Sequence, residues 1–216
     1  FGVWNDETKA DTSRLKAMYK ISWDGYLFSK PDSAFYYAQL EYDFALKVDS
    51  KKYMSKALNT QGASFYLKGN YEKALEYYEK SLKIREELGD KKGIGGSLVN
   101  IGVIYKTQNN YEKALEYYEK SFKIGEELGD KKGMAISLGN IGNIYSIQGN
   151  YEKALYYLER DLKIKEEIGD KKGMGYSLII IGNIYADKGN YKKALEYFEN
   201  SLKIGDNRII GASYYN

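Results

Sequence analysis

The segment YEKALEYYEKSLKIREELGDKKG that begins at Tyr71 returns as YEKALEYYEKSFKIGEELGDKKG at Tyr111 and as YEKALYYLERDLKIKEEIGDKKG at Tyr151. It comes back once more as YKKALEYFENSLKIG at Tyr191, so the spacing is 40 residues each time, without an insertion. Such a chain is one supersecondary unit copied along an axis. Each copy has an apolar face that only its neighbours can cover, and this restricts the fold to a stacked array.

The unit holds two helical patterns. In the copy at Tyr71, apolar residues at Tyr71, Ala74, Leu75, Tyr78, Leu82 and Leu88 stay on one face at 3.6 residues per turn. Glu76 with Lys80, and Glu79 with Lys83, occupy the opposite face in the favourable Glu-before-Lys order. Asn70 stands at the N-cap position and Gly89 where a left-handed residue ends the helix. Asp90 then caps a helix whose stripe is Ile94, Leu98, Ile101 and Tyr105, and the chain turns again at Asn109-Asn110. The equivalent turns are Gly69-Asn70, Gly149-Asn150 and Gly189-Asn190. Proline occurs once, at Pro31, and glycine 22 times, which suits helices ended by glycine caps.

Composition removes several classes of function. The chain has no cysteine and no histidine, which excludes Cys/His zinc sites, disulfides, thiol nucleophiles and His-based triads. Its 33 basic and 30 acidic residues are interspersed, which gives no electrostatic case for nucleic acid or an anionic membrane. No apolar stretch reaches the roughly 18 residues of a membrane span. The absence of cysteine selects no compartment, so localisation is undetermined. The carboxylates recur identically along solvated helix faces, GIGG at residues 93–96 lacks a preceding strand, and no phosphate-binding loop occurs. The expectation is therefore a chain that is not an enzyme, with no catalytic residues, no metal and no cofactor.

Leu98, Ile101, Gly102 and Tyr105, followed by Ala114 and Tyr118, resemble the tetratricopeptide pattern W-x2-L-G-x2-Y…A-x3-F. Leu138, Ile141, Gly142, Tyr145, Ala154 and Leu158 repeat it, as do Leu178, Ile181, Gly182, Tyr185, Ala194 and Phe198. Leucine replaces the usual tryptophan, the terminal proline is missing, and the unit is 40 residues instead of 34. This long form is similar to the repeats of polarity scaffolds, kinesin light chains and bacterial signalling proteins. The resemblance implies an all-α fold, an α-solenoid of antiparallel helix pairs wound as a right-handed superhelix, with about five repeats.

The register extends in both directions. Residues 1–11 read as a loose lead-in and 12–51 as a divergent capping repeat, with Met18, Ile21, Ser22 and Tyr26 in its degenerate first helix and Pro31 opening its second. Repeats follow at 52–91, 92–131, 132–171 and 172–206. Residues 207–216 match the start of a further unit, so the chain reads as a piece of a longer protein.

In the family the chain resembles, the first helix of each pair lines the concave face. The groove places in the divergent repeat include Tyr19 and Trp23, and in the second repeat Lys56 and Asn59. The next repeats contribute Val99, Asn100 and Val103, then Ile136, Asn140 and Asn143, then Tyr176, Ile179 and Asn183. Apolar side chains mixed with amides suit an extended peptide, whose backbone meets both a donor and an acceptor in each asparagine. The alternative is that these asparagines cap or bridge neighbouring helices. The carboxylate clamp of other tetratricopeptide domains is not expected, because the corresponding places hold Asn59, Ala63, Asn100, Ile136 and Asn140 and lack the basic members. The Lys91-Lys92, Lys131-Lys132 and Lys171-Lys172 pairs read as solvated turn residues.

The expected function is protein–protein interaction: an extended peptide or partner segment held in the groove, within a larger scaffold or regulator. No nucleic acid and no direct membrane contact are expected. The alternative is a self-assembling repeat protein that forms a homo-oligomer through its groove or through its ends, where Phe1, Val3, Trp4, Tyr214 and Tyr215 are apolar.

Overall fold

A computed structural model describes residues 2–204 of the chain. Phe1 and residues 205–216, which hold Tyr214, Tyr215 and the expected start of a further repeat, lie outside the described residues. Two compact units divide the chain, one through Asn110 and one from Tyr111. The first contains α1 (Gly2–Asn5), α2 (Asp11–Tyr19), α3 (Pro31–Lys47), α4 (Lys51–Leu67), α5 (Tyr71–Glu87) and α6 (Lys91–Thr107). The second contains α7 (Tyr111–Leu128), α8 (Lys131–Ile147), α9 (Tyr151–Glu167), α10 (Lys171–Asp187) and α11 (Tyr191–Ile204). No strand occurs among the described residues.

From α3 to α6, and again from α7 to α11, each helix packs on the next as an antiparallel pair across a short turn. Each unit is thus a stack of helix pairs, the all-α solenoid that the periodicity predicts. None of the helices is long and apolar enough to cross a membrane among the described residues.

The turns work as their residues require. The Asn70 side chain accepts from the Lys73 amide at 3.1 Å, and Asp90 accepts from the Gly93 amide at 3.0 Å, which satisfies orphan donors of the first turn. Asn150, Asn190, Asp130 and Asp170 repeat these bonds. Gly89 sits at φ +62°, the left-handed region where a Cβ is penalised, and Asn109 takes the same role at φ 59°.

Small residues bring paired helices close together. Ala154 and Leu158 of α9 are fully buried against Ile181 and Ile184 of α10. The same α9 residues meet α8: a Cβ added to Gly142 of α8 would lie 2.7 Å from Leu158 Cγ and 3.3 Å from the Ala154 carbonyl. Gly142→Ala gains about 1 kcal/mol of helix propensity but overpacks a buried contact, typically at a cost of about 1–3 kcal/mol. The expected net result is a loss of about 1 kcal/mol, read as a lower midpoint in urea denaturation.

The N-terminal repeat differs from its expectation. The degenerate first helix is α2 followed without a break by a π-helical stretch, Lys20–Tyr26. Within the stretch Ser22 is buried; its hydroxyl donates to the Tyr19 carbonyl at 3.1 Å and lies 3.4 Å from the Glu41 carboxyl of α3. Residues 2–5, part of the expected loose lead-in, make one helical turn packed on α2, and Arg14 Nε donates to the Trp4 carbonyl at 3.0 Å. The place of Glu41 recurs in every copy as Ser81, Ser121, Asp161 and Ser201, and all five side chains are buried.

Candidate functional site

In the unit through Asn110, the rings of Tyr19 and Trp23 stack one helical turn apart, with centroids 6.1 Å apart. Lys56 Nζ of α4 lies over Tyr19 at 4.8 Å and over Tyr53 at 5.0 Å, which joins α2 to α4 through cation–π contacts. One turn along α4, Asn59 meets Asn100 of α6, whose Nδ2 donates to Asn59 Oδ1 at 2.9 Å. Val99 and Val103 stand half-buried beside Asn100. The structure therefore brings Tyr19, Trp23, Asn59 and Asn100 onto neighbouring helices around Lys56.

Electrostatics sharpen this face. Burial, and after it the charge of Glu41, pushes the Tyr19 hydroxyl up from its ordinary pKa. Burial holds Lys56 below the usual lysine range, and the repulsion of Lys52 and Arg85 adds to it while Glu41 and Asp90 oppose. Lys106, also on the first-helix face of α6, is lowered by burial.

In the unit from Tyr111, Ile136 of α8 and Tyr176 of α10 are 41% and 50% exposed. Asn140, Asn143 and Ile179 are half-buried and Asn183 is exposed. Among the described residues Asn140 meets no other asparagine; its Nδ2 donates to the Ile136 carbonyl of its own helix at 2.9 Å. A separate cleft of about 530 Å³ opens among α9, α10 and α11, lined by Leu162, Met174, Leu178 and Ile204 among others. None of the sequence-predicted groove residues lines it.

Three residues of chemical interest were not in the expected groove set. Arg85 of α5 passes under α6, with Nη1 donating to the Gly93 carbonyl at 2.7 Å and to Ser97 Oγ at 2.9 Å. Asp161 of α9 is fully buried and accepts from Lys165 Nζ at 2.7 Å and from the Ser177 hydroxyl. Glu41 is fully buried, its Oε1 has no hydrogen-bond partner, and burial pushes its carboxyl up to about 8. The signal for the two carboxylates was present as Glu and Asp at a place where the other copies hold serine. Among the described residues no group of His, Cys, Asp and Glu side chains is placed to hold a metal ion.

Solved structures share the fold at low identity. BtubC (BKLC) from P. vanneervenii is 19% identical with a TM-score of 0.71, over 95% of this chain and 81% of that one. A signal transduction ATPase (STAND) protein with a tetratricopeptide repeat sensor, PH0952 from Pyrococcus horikoshii, is 22% identical with a TM-score of 0.75, over 92% of this chain and 31% of that one. A Rap protein complexed with competence and sporulation factor is 14% identical with a TM-score of 0.74, over 95% of this chain and 67% of that one. No curated protein matches the chain. A family model described as tetratricopeptide repeat matches residues 53–127, 94–167 and 133–207, which together span more than half of the sequence. The chain belongs to the tetratricopeptide repeat family.

Proposed function

We propose that this chain binds an extended segment of a partner protein on its first-helix faces, as the recognition part of a larger scaffold or signalling regulator. The fold is a protein-interaction scaffold type, and the reading extends it to the residues that make the contact. The observation that carries it is the pairing of amides with accessible apolar side chains on the same helix faces. Ile136 and Tyr176 are exposed on the helices that carry Asn140 and Asn183, and the Tyr19–Trp23 stack meets Lys56, one turn along α4 from the Asn59–Asn100 pair. Alternating amide and apolar contacts fit a peptide that offers backbone groups and side chains in turn. Apart from its bond to Asn59, the Asn100 side chain makes no hydrogen bond among the described residues, so its carbonyl oxygen remains to accept one. A structurally similar Rap protein holds competence and sporulation factor, which supports the reading at the level of architecture. We read the chain as non-catalytic.

The test is a random peptide library selected on the wild type and on Asn100→Ala/Asn140→Ala. Selected peptides are expected to bind the double variant at least about tenfold more weakly, or 1.4 kcal/mol, with the variant's thermal melt showing that it is folded. Equal binding to both proteins would remove these asparagines from the site. It would favour self-association instead, for which α11 exposes Tyr191, Leu195 and Leu202 and light scattering gives the readout.

A further inference from the structure

The unit through Asn110 holds two desolvated cations that its own carboxylates do not pair. Lys56 makes cation–π contacts but no ion pair and no hydrogen bond among the described residues. Arg85 spends Nη1 on Gly93 and Ser97, its Nε is buried without a partner, and it too forms no ion pair among the described residues. Its guanidinium reaches the first-helix face of α6: a Cβ added to the exposed Gly96 would lie 3.8 Å from Nη1.

Burial is the first cause that lowers both cations; the charges of Glu41 and Asp90 oppose it at Lys56, and those of Asp90 and Tyr19 oppose it at Arg85, without reversing the direction. A cation removed from water without a counter-charge is unfavourable, and an incoming carboxylate relieves that cost. Glu41 does not supply the charge at neutral pH, since its carboxyl is pushed up to about 8 and is mostly protonated there. The Tyr19–Trp23 stack and the Asn59–Asn100 pair border the same place.

We propose that this face selects a partner peptide bearing an acidic residue, whose carboxylate sits against Lys56 with the Arg85 guanidinium beside it. The aromatic pair takes a neighbouring apolar side chain, and the asparagine pair holds the backbone. The proposal rests on the peptide-binding reading above and adds the chemistry of the partner. It differs from a clamp for a chain terminus, because one side-chain carboxylate within a segment satisfies it.

The experiment uses the peptides selected on the whole chain. Each is compared with a version in which Asp and Glu are replaced by Asn and Gln, on the wild type and on Lys56→Gln. The expected result is enrichment of an acidic residue and a loss of about tenfold when it is neutralised. That loss should be small on Lys56→Gln, and wild-type affinity should fall as salt rises. Selected peptides without acidic residues, or neutralised peptides that bind equally well, overturn the acidic partner and leave the groove reading standing through its asparagine dependence. A failure to select any peptide overturns both. The neutralised-peptide and salt measurements use only the wild type, so they decide the matter even where Lys56→Gln unfolds.

Discussion

Glu41→Gln is expected to make the chain more stable at pH 9 and to remove most of the fall in stability that the wild type shows between pH 5 and 9. Glu41 is fully buried, with Oε2 3.4 Å from the Ser22 hydroxyl and Oε1 without a partner. Tyr19 of α2 and Tyr53 and Lys56 of α4 are the other titratable groups whose charges couple to it. Burial raises its carboxyl to about 8 against an ordinary 4.5, which outweighs the opposing effects of Ser22 and Lys56. The folded state therefore holds a proton that the unfolded state releases. Stability from this group is complete below pH 4.5 and is lost as pH rises through about 8. Between pH 5 and 9 the loss is roughly 4 kcal/mol, borne by the unit through Asn110. With no histidine and no cysteine, no side chain at its ordinary pKa titrates between pH 6 and 9, so the effect has little competition. Glutamine keeps the shape without the charge. Thermal melts at pH 5, 7 and 9 decide the point: a wild-type midpoint that stays flat across this range rules the account out.

The features legible in the sequence are local ones. Asn70, Gly89 and Asp90 act within one turn of their own position, so their roles as cap, left-handed residue and cap follow from type and spacing alone. The close approach at Gly142 was legible because the 40-residue register placed a small residue opposite Ala154 in each copy. What the sequence left open depends on a partner far along the chain. Asn100 meets Asn59, an amide 41 residues earlier. Asn140, at the same place in its own copy, bonds its own helix at Ile136. The π-helical stretch could not be read either, because Met18, Ile21, Ser22 and Tyr26 keep an apolar face in an ordinary helix as well. Arg85 stands in the last turn of α5, where type and spacing mark it as an ordinary helix-end charge. Its burial depends on the path its side chain takes under α6 to Gly93 and Ser97.

Lys165→Met is expected to destabilise the unit from Tyr111 by about 3–5 kcal/mol. Lys165 Nζ donates to Asp161 Oδ2 at 2.7 Å and to Ser177 Oγ at 2.8 Å, while Asp161 Oδ1 already lacks a partner. Removing the ammonium leaves a fully buried carboxylate with one hydroxyl for company. Burial raises the Asp161 carboxyl even with Lys165 and Ser177 pulling the other way, so the pair's attraction is set against its own desolvation. The equivalent layer between α7 and α8 shows an uncharged solution, with Ser121 at the place of Asp161 and Gly125 at the place of Lys165. There Ser137 Oγ donates to Ser121 Oγ at 3.1 Å, and Met134 fills the space over Gly125, where a Cβ would lie 2.9 Å from Met134 Cγ. Met174 holds the register place of Met134 in this copy. Asp161→Ser/Lys165→Gly is therefore expected to recover all but about 1 kcal/mol, the helix cost of the added glycine. Urea denaturation of the wild type, the single variant and the double variant measures both steps. If the double variant is no more stable than Lys165→Met, the stranded carboxylate is not the cause of the loss. If it recovers, the stranded carboxylate is the cause, and Lys165→Met should regain stability as pH falls and Asp161 takes up a proton.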